Sequence, residues 1–210
     1  MLVSDLLPHF RVKLVELGRP IPFEPLLISY LNNAYQLFVN GIEGVADELE
    51  VAVLANDVEI DLPSSILKIK SAQNAAGDFI EVINRGDTRV KGITFGTPGE
   101  IRYLLLGAKA NAAKVADSPE ADTTISLDVD RLPLTPLTLV TDNPVDVAAK
   151  WHLNLVDGAL ARALQGTPDP QLNRLAKEFE SNFAYAINSA RKEKSRAKSK
   201  ITRTVRYGGI

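Results

Sequence analysis

Two sets of carboxylates, two histidines and a basic terminus are the groups in this sequence of 210 residues whose types could do chemistry. Asp128 and Asp130 share one strand face by alternation, as do Asp57 or Glu59 with Asp61. Paired carboxylates can hold a divalent metal or move a proton. On a strand, the same spacing also describes an ordinary solvated face. His9 and His152 are the only imidazoles, and no convergent partner stands near either, so both read as structural or interface histidines. Cysteine is absent, which removes disulfides, zinc-thiolate sites and thiol nucleophiles and fits a reducing compartment. Gly96-Thr97-Pro98-Gly99 lacks the Gly-Lys-Ser/Thr ending of a phosphate loop and reads as a turn. Arg85-Gly86-Asp87 reads as the close of a hairpin, and Trp151 as core packing. There is no Gly-x-Ser-x-Gly elbow and no dinucleotide fingerprint. The residues predict no catalytic site, no cofactor and no metal, and hence no enzyme.

The basic terminus is the stronger signal. Residues 191–206 hold eight basic side chains against the single acid Glu193, a charge of +7, while the other residues hold 16 basic and 25 acidic groups, a charge of −9. The formal total of −2 therefore hides an acidic body with a basic end, and a protein that coats nucleic acid over its whole surface is disfavoured. Ile201, Val205, Tyr207 and Ile210 sit among these charges. Three readings are open: a solvated end, an arm that orders on a protein partner by adding a strand to a sheet edge, or a nucleic-acid-binding module gripping phosphates. Fully extended, residues 195–210 would reach about 50 Å. The candidate partner-binding residues are Arg191, Lys194, Arg196, Lys198, Lys200, Arg203, Val205, Arg206, Tyr207 and Ile210.

The elements that must position this end fall into three zones. In the first, Val3, Leu6, Leu7, Phe10, Leu14 and Leu17 recur at helical spacing, with Ser4 or Asp5 to cap and Gly18 to stop. Pro20, Pro22 and Pro25 lead into a second helix carrying Leu27, Tyr30, Leu31, Ala34, Leu37 and Phe38, and Asn40-Gly41 ends it. From about residue 45 the period changes to two. Strands are expected at 49–53, 58–62, 66–70, 79–83, 92–95, 101–106, 124–129 and 137–140, and the turns between them suggest an antiparallel sheet or sandwich. Asp142-Asn143-Pro144 signals a third helix through Trp151, Leu155, Ala159 and Ala163, and Gly158 inside it implies close approach by a neighbour. Thr167-Pro168-Asp169-Pro170 starts a fourth, with its stripe from Leu172 to Ala190. The fold class is α+β: a four-helix bundle in two halves (1–44 and 142–194), an inserted β domain (45–141) and an extended basic arm (195–210). No apolar run approaches the roughly 20 residues of a membrane span, and the start lacks the basic region of a secretory signal.

Several passages carry a likeness. Ile21-Pro22-Phe23 stands before Leu27-Ile28-Ser29-Tyr30-Leu31-Asn32-Asn33-Ala34, and Ile60-Asp61-Leu62-Pro63-Ser64-Ser65-Ile66-Leu67-Lys68-Ile69 follows. Trp151-His152 opens a helix with Ala159-Leu160-Ala161-Arg162-Ala163-Leu164, and the Glu178 to Lys194 helix runs into Arg203-Thr204-Val205-Arg206-Tyr207-Gly208-Gly209-Ile210. In this order they resemble the head-to-tail adaptor (connector) proteins of short-tailed bacteriophages, the tail tubular protein A-like group. The resemblance implies a homo-oligomeric ring, expected to be a dodecamer, below the portal protein. It implies a helical ring wall, a β insert toward a downstream tail tube or nozzle protein, and a C-terminal arm reaching the portal or a neighbouring subunit. Genome DNA would pass through the opening without sequence-specific binding. The place would be the head-tail junction of a virion assembled in host cytoplasm, with no membrane partner. An acidic body suits such a conduit, because it does not grip phosphates.

Overall fold

A computed structural model describes residues 1–95 and 97–205, with side chains outside 198–205. The chain divides into two compact units, one of residues 1–43 and 133–210 and one of residues 44–132.

The first unit holds four helices: α1 (Val3–Glu16), α2 (Glu24–Gly41), α3 (His152–Leu164) and α4 (Pro170–Val205). Their apolar stripes meet as the spacing predicts, and α3 packs on α1, α2 and α4. Leu6, Phe10, Leu27, Leu31, Tyr35, Phe38, Leu155 and Leu160 are fully buried. Leu164, Leu172 and Ala176 close one end of this core, with Leu17, Leu175 and Phe179 against them.

Three local expectations are corrected here. The start of α1 is capped by neither Ser4 nor Asp5 in the ordinary way. The amides of Val3 and Ser4 donate to the carbonyls of Asp142 (2.9 Å) and Val140 (2.8 Å), and Asp5 accepts from the amide of Leu2. A distant loop thus satisfies donors that a helix start leaves orphaned. That loop explains the second correction: residues 137–140 form no strand, and 133–141 cluster with the helices. The third concerns α3, which begins at His152 and not at Pro144. Asp146 accepts a 2.7 Å bond from the Tyr35 hydroxyl, and this pins the chain in turns up to the short 3-10 turn Ala149–Trp151.

Expectation and structure part furthest at the C-terminus. The segment 195–205 continues α4 and is not an extended arm. Between Pro170 and Gly208 there is no proline or glycine, and Lys, Arg and Ala are good helix formers. Cations also suit the negative end of a helix dipole.

The second unit is a seven-stranded mixed sheet in the order β1-β7-β3-β4-β5-β6-β2. The strands are β1 (Val45–Val53), β2 (Glu59–Asp61), β3 (Ile66–Asn74), β4 (Phe79–Asn84), β5 (Tyr103–Lys109), β6 (Ala112–Ala116) and β7 (Thr123–Arg131). It curls at β4, whose first residues pair with β3 and whose later residues pair with β5. Strands from both sides of the curl then share one apolar core, with Val53, Leu104, Val115, Ile125, Leu127 and Val129 fully buried. The sheet is mixed because β4 and β5 run parallel. Arg85-Gly86-Asp87 therefore closes no hairpin. It opens a long crossover through a 3-10 turn at Thr88–Gly92, which also takes the place of a strand at 92–95. The alanine-rich β6 went unforeseen, since Ala112, Ala113 and Ala116 have weak strand propensity.

Candidate partner-binding surface

The basic end is built on a helix locked to its unit by its own first cations. Ala190 is the last buried residue of α4 among its described side chains. One position on, the Arg191 guanidinium forms an ion pair with Glu43, just past the end of α2. The Lys194 ammonium donates to the carbonyls of Ile42 (3.2 Å) and Glu43 (3.0 Å). A lysine at these carbonyls satisfies acceptors the end of α2 leaves open and meets the negative end of its dipole. On the other side, Glu193 pairs with Lys150, whose ammonium lies 5.3 Å from the centroid of the Trp151 ring. Two of the ten candidate residues, Arg191 and Lys194, are therefore committed within the chain. Both look like free cations in the sequence, because their partners are about 150 positions away.

Arg196 is exposed and makes no ion pair among the described residues. Lys198, Lys200, Arg203 and Val205 lie on α4 with side chains outside the described set. Arg206, Tyr207 and Ile210 lie outside the described residues. From Lys194 to Val205, α4 continues for eleven residues, about 16 Å at 1.5 Å per residue.

Of the other candidates, His9 is exposed on α1, and several already have partners within the chain. His152 is buried, and its Nε2 lies 2.8 Å from the Val147 carbonyl oxygen. Asp128 is exposed and Asp130 buried, and one ammonium, Lys70, stands 3.1 Å from the first and 3.4 Å from the second. A lysine on the spot where a cation would sit gives the pair a partner already. Glu59 is paired with Lys109 at 2.8 Å, which holds its carboxyl below the usual range, and Asp57 accepts from the amide of Leu54. Among the described residues no cluster of three or more His, Asp or Glu is arranged for a metal, and no helix is long and apolar enough to cross a membrane. Asp87 stands next to the glycine of the crossover. A side-chain hydrogen bond from Arg89 lowers its carboxyl to about 2, and the Arg89 amide adds to this. Arg89 also pairs with Glu81. This fixes a turn and leaves no proton to exchange near neutral pH.

Trp151 is partly buried with its ring 6.5 Å from that of Phe38, a packing role. Residues 97–99 lie against Ser118, with the Ser118 amide donating to Thr97 (2.8 Å) and the Gly99 amide to Ser118 (2.9 Å). Gly96 lies outside the described residues.

The family model described as SU10 adaptor protein matches residues 1–206. No curated protein matches the chain.

Proposed function

This chain belongs to the SU10 adaptor protein family, phage head-tail adaptors that are structural and not enzymes, and on that premise we propose that it forms a ring joining the portal of a phage head to its tail. In this reading copies of the chain surround a channel through which genome DNA passes during ejection. The basic end of α4 docks on the portal protein or a neighbouring copy, and a downstream tail tube or nozzle protein binds below. The ring belongs to the virion's head-tail junction and is assembled in the host cytoplasm.

One observation carries the docking role. Past Lys194, Ser195, Arg196 and Ala197 are exposed, and α4 runs on to Val205 with Lys198, Lys200 and Arg203 in its sequence. Exposed helical turns gain little from tertiary packing within their own chain. A basic helix end is thus a surface suited to an acidic partner, and its cations raise the rate of encounter.

Deletion of residues 195–210 tests this. The truncated chain retains Ala190, Arg191 and Lys194 and so should fold with an unchanged circular dichroism spectrum and melting temperature. It should fail to attach to portal-bearing, tail-less heads. Normal attachment would overturn the docking role. Tight binding of the intact chain to free duplex DNA that is lost on truncation and falls steeply with salt would instead favour a nucleic-acid-binding module.

A further inference from the structure

We infer that neighbouring copies join by seating Tyr185 of one copy in the cleft between α1 and α3 of the next. This rests on the ring reading above and names the surfaces it would use.

Two features of the helical unit lack an occupant. The first is a cleft of about 440 Å³ between α1 and α3. Pro8, Val12 and Leu153 give it apolar walls; His9 and Lys13 also line it, Lys13 is paired with Glu16 at 3.0 Å, and Asp157 adds a second carboxylate. Val12 is 54 % exposed and Leu153 49 %, on a helix pair whose opposite sides form the core. Val15, one turn along α1 from Val12, is exposed as well. Asp157 is half-buried with no salt bridge among the described residues, and burial raises its carboxyl.

The second feature is Tyr185 on α4, 75 % exposed. Its helical neighbours at three and four positions are Ser181, Asn182, Asn188 and Ser189, short polar groups that leave the ring standing proud. Two turns further along the same face is Lys192, exposed and with no ion pair among the described residues. Tyrosine gives a large rigid contact at low entropic cost and is enriched among residues that dominate interfaces.

The two features complement each other. An apolar cleft holding one half-buried acid without a salt bridge accepts an aromatic knob with a cation two turns away. Lys192 would offer Asp157 that partner and relieve the desolvated acid. They also lie apart on the unit: Leu153 and Asp157 turn one side of α3 to the α1 cleft, whereas Gly158 and Ala161 turn another toward α4, the helix that carries Tyr185. A copy can therefore give its tyrosine to one neighbour and its cleft to another. Such head-to-tail contact propagates until it closes on itself, which a self-complementary contact cannot do.

The absence of cysteine allows a direct test. Val12→Cys and Tyr185→Cys both alter exposed side chains, so each variant should fold. Under mild oxidation, a mixture of the two variants should give a disulfide-linked dimer. Neither variant alone should do so, and the double variant should give a ladder of covalent oligomers. The reaction is run on concentrated protein and on portal-bearing heads, with electron microscopy of the unmodified chain alongside. Cross-linking of either single variant with itself would overturn the inference, because the contact would then be two-fold. Closed rings without cross-linking in the mixture would overturn it and leave the ring reading standing. No ring in either setting would overturn both. As a second readout, Tyr185→Glu should abolish ring formation at an unchanged melting temperature.

Discussion

A Cβ added to Gly158 on α3 would stand 2.8 Å from Cε2 of Phe183 on α4, and 3.0 Å from Cβ of Ala34 on α2. Three helices thus converge on a position that has room for hydrogen alone. The ring of Phe183 also lies 5.9 Å from that of Phe38, so it cannot swing away without disturbing a second aromatic.

Gly158→Ala sets two effects against each other. Helix propensity favours alanine by about 1 kcal/mol. Overpacking a filled core costs about 1–3 kcal/mol, and Ala34 offers no flexible end that could yield. A net loss of up to about 2 kcal/mol is expected from these magnitudes, read from urea denaturation. Phe183→Leu in the Gly158→Ala background should recover part of it, since it removes the atoms that clash. Greater stability of the single variant would show that the helices part easily here.

Gly44 is more demanding. Its φ is +76°, and a Cβ there would lie 2.9 Å from both the amide nitrogen and the carbonyl oxygen of Arg131. Backbone atoms cannot move as a side-chain tip can, and left-handed φ adds strain. Gly44→Ala should cost about 2–4 kcal/mol. The loss should appear in the strand signal of the circular dichroism melt.

Asp142 makes the loop before α3 sensitive to acid. Its carboxylate accepts from the amides of Thr138 (2.6 Å) and Leu139 (2.8 Å), which hold it below its ordinary range. A carboxylate depressed in the folded state stabilises above its unfolded value of about 3.9 and ceases to do so as pH falls through the folded value. Asp142→Ala should therefore melt at a lower temperature than the parent at pH 7, and the difference should shrink below about pH 4. A constant difference between pH 7 and pH 3 would exclude this role.

Within the basic end, position separates two kinds of cation. Arg191→Ala and Lys194→Ala remove exposed contacts to the end of α2, and each should cost less than about 1 kcal/mol. Arg196→Ala should leave the urea midpoint unchanged and weaken attachment to portal-bearing heads. The opposite pattern, with attachment following Arg191 and stability following Arg196, would reverse the assignment of the two ends.

Helical spacing in the sequence was enough to find four helices, and Leu6, Phe10, Leu31, Leu155 and Phe183 lie buried as their stripes require. Alternation found most strands for the same reason, since the period of side-chain burial is a local property. The close approach at Gly158 was also legible, because a glycine inside a helix is costly unless something needs the space. Charge was legible as composition: an acidic chain with a basic end is a count. The family likeness lay in the order of the passages.

Only the tertiary structure decided which of those cations are free. Arg191 and Lys194 meet Glu43 and Ile42 across about 150 residues, and no local pattern encodes a contact at that separation. The same reason covers Lys70 between Asp128 and Asp130, the carbonyls of Val140 and Asp142 that cap α1, and the parallel pairing of β4 with β5. The basic segment from 195 to 205 became a helix because nothing within it breaks one and α4 had already nucleated, so each added residue costs little. Spacing determines what a segment prefers. Which groups find partners is set by where the folded chain brings distant segments together.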